Sequence, residues 1–229
     1  MVRGDYKREF ADFMLNHGAL IFGDFTTKSG RKTPYFVNTG KYNSGDKAYM
    51  IGQFYATCIL QHFEEEALED MVLFGPAYKG IPLVVSTAMA LTDNELDVKF
   101  CFNRKEAKDH GEGGTLIGHQ LSKGDKVLII EDVITAGTAV REVLPIIENT
   151  GATVEGLVIS VDRMERGKGE RTAIQEVWDE FRIPTYAILN IKEILAILPT
   201  LRDSAVTSYK FDKDLTTRIE AYMKEYCVL

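Results

Sequence analysis

The sequence predicts an α/β fold, a central mostly parallel sheet flanked by helices. Short apolar runs rich in β-branched residues, such as Val127 to Ile130, alternate along the chain with segments of helical period. Turns built from glycine, proline, threonine and charged residues separate them, as in βαβ units with right-handed crossovers. Strand runs this short and continuous suit parallel strands covered on both faces. The 229 residues suit one domain with a substantial core, and no repeat, low-complexity tract or linker divides them, so the domain is drawn as 1–229.

In chain order, residues 4 to 17 carry Tyr6, Phe10, Phe13 and Met14 at a helical period. From 19 to 42, aromatic residues alternate with turn signals at Lys28-Ser29-Gly30 and Thr33-Pro34, predicting short strands and loops over the main sheet. A helix is expected near 46 to 63, then strand Met71 to Phe74, helix 80 to 92 and strand Val98 to Phe102. Strand 126 to 131, helix 138 to 150, strand 154 to 161, helix 170 to 182 and strand Thr185 to Leu189 follow. Helices near 191 to 198 and 213 to 226 close the chain. Residues 103 to 119 break the pattern: glycine, histidine and charge without periodicity predict a long loop of functional character.

Charge and composition narrow the function classes. A net charge of −7 argues against general nucleic-acid binding and makes any anion site a local concentration of cations. The apolar runs are too short to span a bilayer, and MVRGDYKREF has charges where a signal peptide needs an apolar core. Of the three cysteines, Cys58 and Cys101 sit in apolar segments, as expected of buried thiols in a reducing cytoplasm. No histidine motif accompanies a cysteine as a catalytic thiol requires.

Residues 127 to 139, VLIIEDVITAGTA, concentrate the chemistry. The apolar run ends in Glu131 and Asp132, at the carboxyl end of a strand, where open α/β sheets place their ligands. Thr135 to Thr138 then enters a segment with Val140, Leu144 and Ile147 in helical register. Backbone N–H groups at such a helix start favour a phosphate. Acids beside a phosphate cradle need another partner, and ribose hydroxyls, with a divalent cation nearby, supply it. The plain alternative is an ordinary strand-turn-helix with solvated acids. Competing phosphate motifs are absent: no GxxxxGK[ST] occurs, and the segment at Gly111, Gly113 and Gly114 fails the dinucleotide fingerprint.

A second strand-to-helix turn, FGPAYKG at 74 to 80, sets Lys79 between Gly75 and Gly80, whose backbone freedom is expected to shape the turn. Read alone it is equally a tight connector with a solvated lysine. The segment from Asn103 to Glu112 mixes three basic and three acidic residues with His110. A solvated face is the common reading of such a run. Its glycine tail, Lys108 and His110 suggest a lid closing on a polyanion.

EDVITAGTA resembles the signature of the type I phosphoribosyltransferases, which use phosphoribosyl pyrophosphate (PRPP). KSGRKTPYF at 28 to 36, FGPAYKGIPL at 74 to 83, FNRKEAKDHGEGG at 102 to 114 and Ser160-Val161-Asp162-Arg163 resemble the orotate-specific branch of that family, over nearly the whole chain. Glu131 departs from the aspartate common in close relatives, keeping the carboxylate but lengthening it. The resemblance implies a small N-terminal hood, mainly residues 1 to about 45, and a long mobile lid loop over a type I phosphoribosyltransferase-like sheet. It implies that Glu131, Asp132, Val133, Ile134, Thr135, Ala136, Gly137, Thr138 and Ala139 bind PRPP, the loop holding the 5-phosphate and the acids the ribose hydroxyls. Tyr78, Lys79, Arg104, Lys105, Lys108 and His110 would take the pyrophosphate, joined by Lys28. Lys28, Phe36, Val37, Thr135 and Arg163 would hold orotate, Arg163 pairing with its carboxylate. Lys108, His110 and Asp132 are the catalytic candidates, Mg²⁺ is the implied cofactor bound mainly through PRPP, and the implied assembly is a homodimer with shared active sites. Three rivals remain, a phosphoribosyltransferase for another base, a PRPP-binding regulator without catalysis and a structural α/β module with no ligand. Arg163 and the Lys28 to Phe36 segment speak against the first, the complete lid string with Lys108 and His110 against the second, and the several converging sites against the third.

Overall fold

The structure, a computed structural model, describes residues 5–27, 30–108, 114–134, 137–167, 169–202 and 214–228. Helix α1 (Tyr6–Asn16) starts at Asp5, whose carboxylate accepts the Arg8 N–H, and its Phe10 and Met14 are fully buried. Strands β1 (Leu20–Thr26) and β2 (Lys32–Val37) form a separate antiparallel pair. Helices α2 (Gly45–Leu60) and α3 (Glu65–Glu69) lead into β3 (Met71–Gly75), α4 (Gly80–Thr92), β4 (Lys99–Lys108) and β5 (Gly114–Gly118). Then come β6 (Lys126–Val133), α5 (Thr138–Glu148), β7 (Thr153–Asp162), α6 (Ala173–Phe181), β8 (Thr185–Asn190), α7 (Ile191–Arg202) and α8 (Leu215–Tyr226).

The main sheet runs β5-β4-β3-β6-β7-β8, parallel except for β5, which is antiparallel to β4. Successive side chains explain the apolar runs. Leu73, Leu128, Ile130 and Val158 pack on one face with residues of α1, α2, α4, α7 and α8. Val72, Phe74, Val127, Ile129, Leu157 and Ile159 pack on the other with α5 and α6. Both faces are dry, so β6 shows no polar alternation. Each fully buried aliphatic side chain contributes about 1.5–3 kcal/mol by area.

One expectation is corrected. Residues 103 to 119 are not a loop throughout: β4 runs on to Lys108, and β5 returns from Gly114, pairing Asn103 with Leu116. This extension lies at the sheet's edge, and Lys105 and Glu106 are exposed, so hydrophobic periodicity had no buried face to record. The tip at 109–113 lies outside the described residues.

The topology also places a crevice. From β3 the chain moves outward to β4 and β5, then returns to lay β6 against the other side of β3. The helices that follow, α4 and α5, therefore cover opposite faces. At such a switch point the carboxyl ends of the two strands open onto a cleft.

Candidate active site

Pairing between β3 and β6 reaches only Phe74 with Ile129, so Glu131 and Asp132 project beyond the end of β3 while still held by β7. Side chains secure the backbone there. The Tyr55 hydroxyl of α2 donates to the Glu131 carbonyl at 2.6 Å, and the Ser160 hydroxyl of β7 donates to the Asp132 carbonyl at 2.5 Å. Both acids are buried. Asp132 Oδ2 accepts from Lys79 Nζ at 2.7 Å and from Thr39 Oγ1 at 2.8 Å, while Oδ1 accepts the Val133 N–H at 2.7 Å. Burial alone would raise the Asp132 pKa; the Lys79 hydrogen bond and charge, with Thr39 and the Val133 N–H, outweigh it and hold the carboxyl below its ordinary value. Glu131 receives the Asp132 N–H at 2.9 Å, yet burial first, and then the Asp132 charge, push its pKa up. The pair thus divides its roles, Asp132 holding the charge and Glu131 the proton.

Lys79 arrives from the turn after β3, which closes tightly. A Cβ on Gly75 would lie 2.4 Å from the Gly80 carbonyl oxygen, and one on Gly80 would lie 2.7 Å from Pro76 and 3.0 Å from the Ile130 carbonyl oxygen. This corrects the expected reason for these glycines: neither has a positive φ, and the turn needs space rather than unusual backbone angles. The Ala77–Tyr78 peptide is cis, Tyr78 is exposed, and the Ala77 N–H donates to Asn103 Oδ1 of β4 at 2.9 Å. The turn is so joined to the base of the β4–β5 hairpin.

Across the crevice, Ile134 is buried and Gly137 caps α5 with φ 65° in the left-handed region. Thr138 and Ala139 open the helix and Thr138 is exposed; the first N–H groups of an α-helix have no partner within the helix. Thr135 and Ala136 lie outside the described residues, as do Lys28 and His110. Lys108 ends β4, and its side chain too lies outside the description. Lys105 pairs with Glu142 of α5 at 3.1 Å, and Arg104 sits beside it on β4.

Arg163 follows β7, buried beside Ile134, Asp162 and Ala173 around a small cavity of about 30 Å³. Nε and Nη2 donate to Glu165 Oε1 at 2.8 and 2.5 Å, Nη2 lies 3.4 Å from Thr33 Oγ1, and the guanidinium sits 4.5 Å over the Tyr35 ring. Phe36 is exposed and packs tilted against Phe25 at 5.7 Å, with Val37 next to it on β2. Thr39, Tyr55 and Glu165 escaped the sequence reading, and Asn103 and Ser160 entered it only as members of longer strings, with no role. Glu165 had a signal, since it follows Arg163 by two residues just past a strand end; the others are brought in by packing.

The cysteines are apart from this chemistry. Cys58, Cys101 and Cys227 are all buried, and burial pushes their thiols up to about 11, 12 and 11.

A parallel sheet with an acid pair, a lysine turn and a glycine-capped helix at its switch point defines a nucleotide-chemistry class, and comparison with known proteins agrees. Residues 42–186 match the phosphoribosyl transferase domain, and the chain belongs to that family. Within it several relatives are narrower in kind. An orotate phosphoribosyltransferase of Clostridium beijerinckii is 48% identical over 223 residues, covering 96% of this chain and 97% of that protein. One from Escherichia coli O157:H7 is 45% identical over 224 residues, covering 97% and 99%. The crystal structure of the Francisella tularensis orotate phosphoribosyltransferase superposes with a TM-score of 0.81 at 32% identity, covering 96% of this chain and all of that one.

Proposed function

We propose that this chain transfers the 5-phosphoribosyl group of PRPP to orotate, giving orotidine 5′-monophosphate and pyrophosphate, a step of pyrimidine (UMP) biosynthesis. The observation that carries the reading is the buried Glu131–Asp132 pair joined to Lys79 across the switch point. It sets an acid suited to ribose hydroxyls between a cation suited to pyrophosphate and a helix start suited to the 5-phosphate.

Binding is assigned to chain residues as follows. Glu131 and Asp132 take the ribose hydroxyls, and the loop from Val133 through Ile134, Thr135, Ala136, Gly137, Thr138 and Ala139 takes the 5-phosphate. Tyr78, Lys79, Arg104, Lys105, Lys108, His110 and Lys28 surround the pyrophosphate. Lys28, Phe36, Val37, Thr135 and Arg163 hold orotate. The ring nitrogen attacks C1 of ribose as pyrophosphate leaves, through an oxocarbenium-like transition state like that of glycosidases. Lys108, with His110, stabilises or protonates the departing oxygen, and the closed lid excludes water.

Among the described residues no group of three or more His, Cys, Asp or Glu side chains could cage a metal, whereas one ionised carboxylate, Asp132, stands in the crevice beside the protonated Glu131. That donor set fits Mg²⁺ held largely by substrate oxygens, with Asp132 as its one ionised carboxylate. When bound, Mg²⁺ supplies charge neutralisation on the pyrophosphate. The active form is a homodimer with shared sites, one phosphoribosyltransferase domain per chain, working in the cytoplasm; among the described residues no helix is long and apolar enough to cross a membrane. The test is loss of orotate absorbance when PRPP and Mg²⁺ are added together. Consumption of a purine instead, with orotate untouched, would assign the chain to another base.

A further inference from the structure

The buried arginine at the end of β7 is held by more than its own strand. Glu165 Oε1 accepts two of its donors, and the same oxygen accepts the Tyr222 hydroxyl of α8 at 2.5 Å. Glu165 Oε2 meets Arg31 at 3.3 Å. Tyr222 is itself fixed, edge-on to Tyr35 at 5.8 Å and packed on Tyr226 at 5.0 Å, while the Arg31 guanidinium lies 4.8 Å over the Tyr226 ring. Tyr35 forms the floor beneath Arg163. The hood, the end of β7 and the C-terminal helix therefore meet on one carboxylate. Its two bonds occupy Nε and Nη2, and among the described residues Nη1 has no hydrogen-bond partner. That nitrogen is the one left to a ligand.

We infer that Glu165 and Tyr222 are positioning residues of the base site: they fix the plane of Arg163 so that its Nη1 edge meets the orotate carboxylate. The inference rests on the assignment of Arg163 to that carboxylate. A free guanidinium would have to be frozen out of several rotamers on each binding event; here the cost is met when the chain folds. Tyr222 acts through the Glu165 oxygen that its hydroxyl fixes and also lies against the arginine itself. The C-terminal helix, distant in sequence from every recognised motif, thereby becomes part of base selection.

The experiment compares Tyr222→Phe, Glu165→Gln and Arg163→Ala with the unaltered enzyme. KM is measured for orotate and for PRPP, together with inhibition by uracil, which has the ring and lacks the carboxylate. Tyr222→Phe keeps the ring packing and is expected to raise the orotate KM roughly tenfold, the scale of one hydrogen bond to a charged group. Glu165→Gln should raise it at least as much. The PRPP KM and the uracil inhibition constant should stay where they were. An unchanged orotate KM in folded Tyr222→Phe overturns the inference, as does a parallel rise of all three constants, which would mean general damage. Tighter orotate binding in Glu165→Gln also overturns it, because Glu165 would then compete with the ligand rather than position its receptor. Arg163→Ala separates the levels. If it leaves the orotate KM unchanged, the carboxylate assignment itself is wrong; if it raises that KM while the other two variants do not, only the positioning role falls.

Discussion

At the scale of single residues, adjacent carboxylates at the end of β6 are driven apart by their surroundings. Asp132 has Lys79 and Thr39 within hydrogen-bond reach, whereas Glu131 is buried with an N–H as its partner. A neutral Glu131 implies that Glu131→Gln keeps most of the PRPP activity at neutral pH. Asp132→Asn should lose roughly a hundredfold in kcat/KM for PRPP, the upper scale of a hydrogen bond made by a charged group. The same asymmetry sets a pH dependence. Glu131 keeps its proton to about 8 in the folded chain, against an ordinary 4.5, so within that window the folded state binds more protons than the unfolded one. Its contribution to stability is complete below the ordinary value and is lost as pH rises through the folded one. Asp132, held below its ordinary value, acts oppositely and matters only as pH falls into the acid range. Scanning calorimetry should therefore show a Tm decline with rising pH that flattens in Glu131→Gln. Parallel declines in the two proteins would refute the neutral Glu131.

Among the elements, the turn between β3 and α4 constrains the site most. Gly80→Ala would drive a methyl into Pro76, the Gly75 carbonyl carbon and the Ile130 carbonyl, two of them backbone that cannot rotate away. Overpacking of this kind costs about 1–3 kcal/mol. The shift would also move Lys79 relative to Asp132. Urea unfolding should show a lower midpoint at unchanged slope, and the PRPP KM should rise while that for orotate holds. A midpoint equal to that of the unaltered protein would show that the turn has slack the geometry denies. Elements with two buried faces or one strong stripe, such as β3, β6 and α5, were legible in the sequence because burial writes a period into the residues. The first part of β4 was legible as Val98 to Phe102, but the outer part of the β4–β5 hairpin was not, since it buries little and pairs through the backbone, which any side chain permits.

For the whole molecule, the proposed homodimer puts the lid of one chain over the crevice of the other, as two-fold symmetry makes reciprocal. Lys108→Ala and Asp132→Asn would each inactivate the enzyme alone. Mixed under conditions that exchange subunits, random pairing makes half the dimers mixed, and each mixed dimer then contains one site free of both lesions. Roughly a quarter of the unaltered activity should return, because the symmetry requires one intact site in two. A mixture that stays inactive, with exchange confirmed by mass, would mean that each lid serves its own chain.

The sequence by itself determined the class of fold, the order of its main elements and the two loops that meet at the switch point. Those features are local: an apolar run, a turn and a helical period are written in neighbouring residues, and Glu131, Asp132 and Lys79 lie at their ends. Only the tertiary structure decided who stands beside whom. Thr39 reaches Asp132 across 93 positions, Tyr55 reaches the Glu131 carbonyl across 76, and Tyr222 reaches Glu165 across 57. No pattern along a chain records such contacts, because they arise when helices and hood pack on the sheet, and packing selects partners by distance in space rather than in sequence.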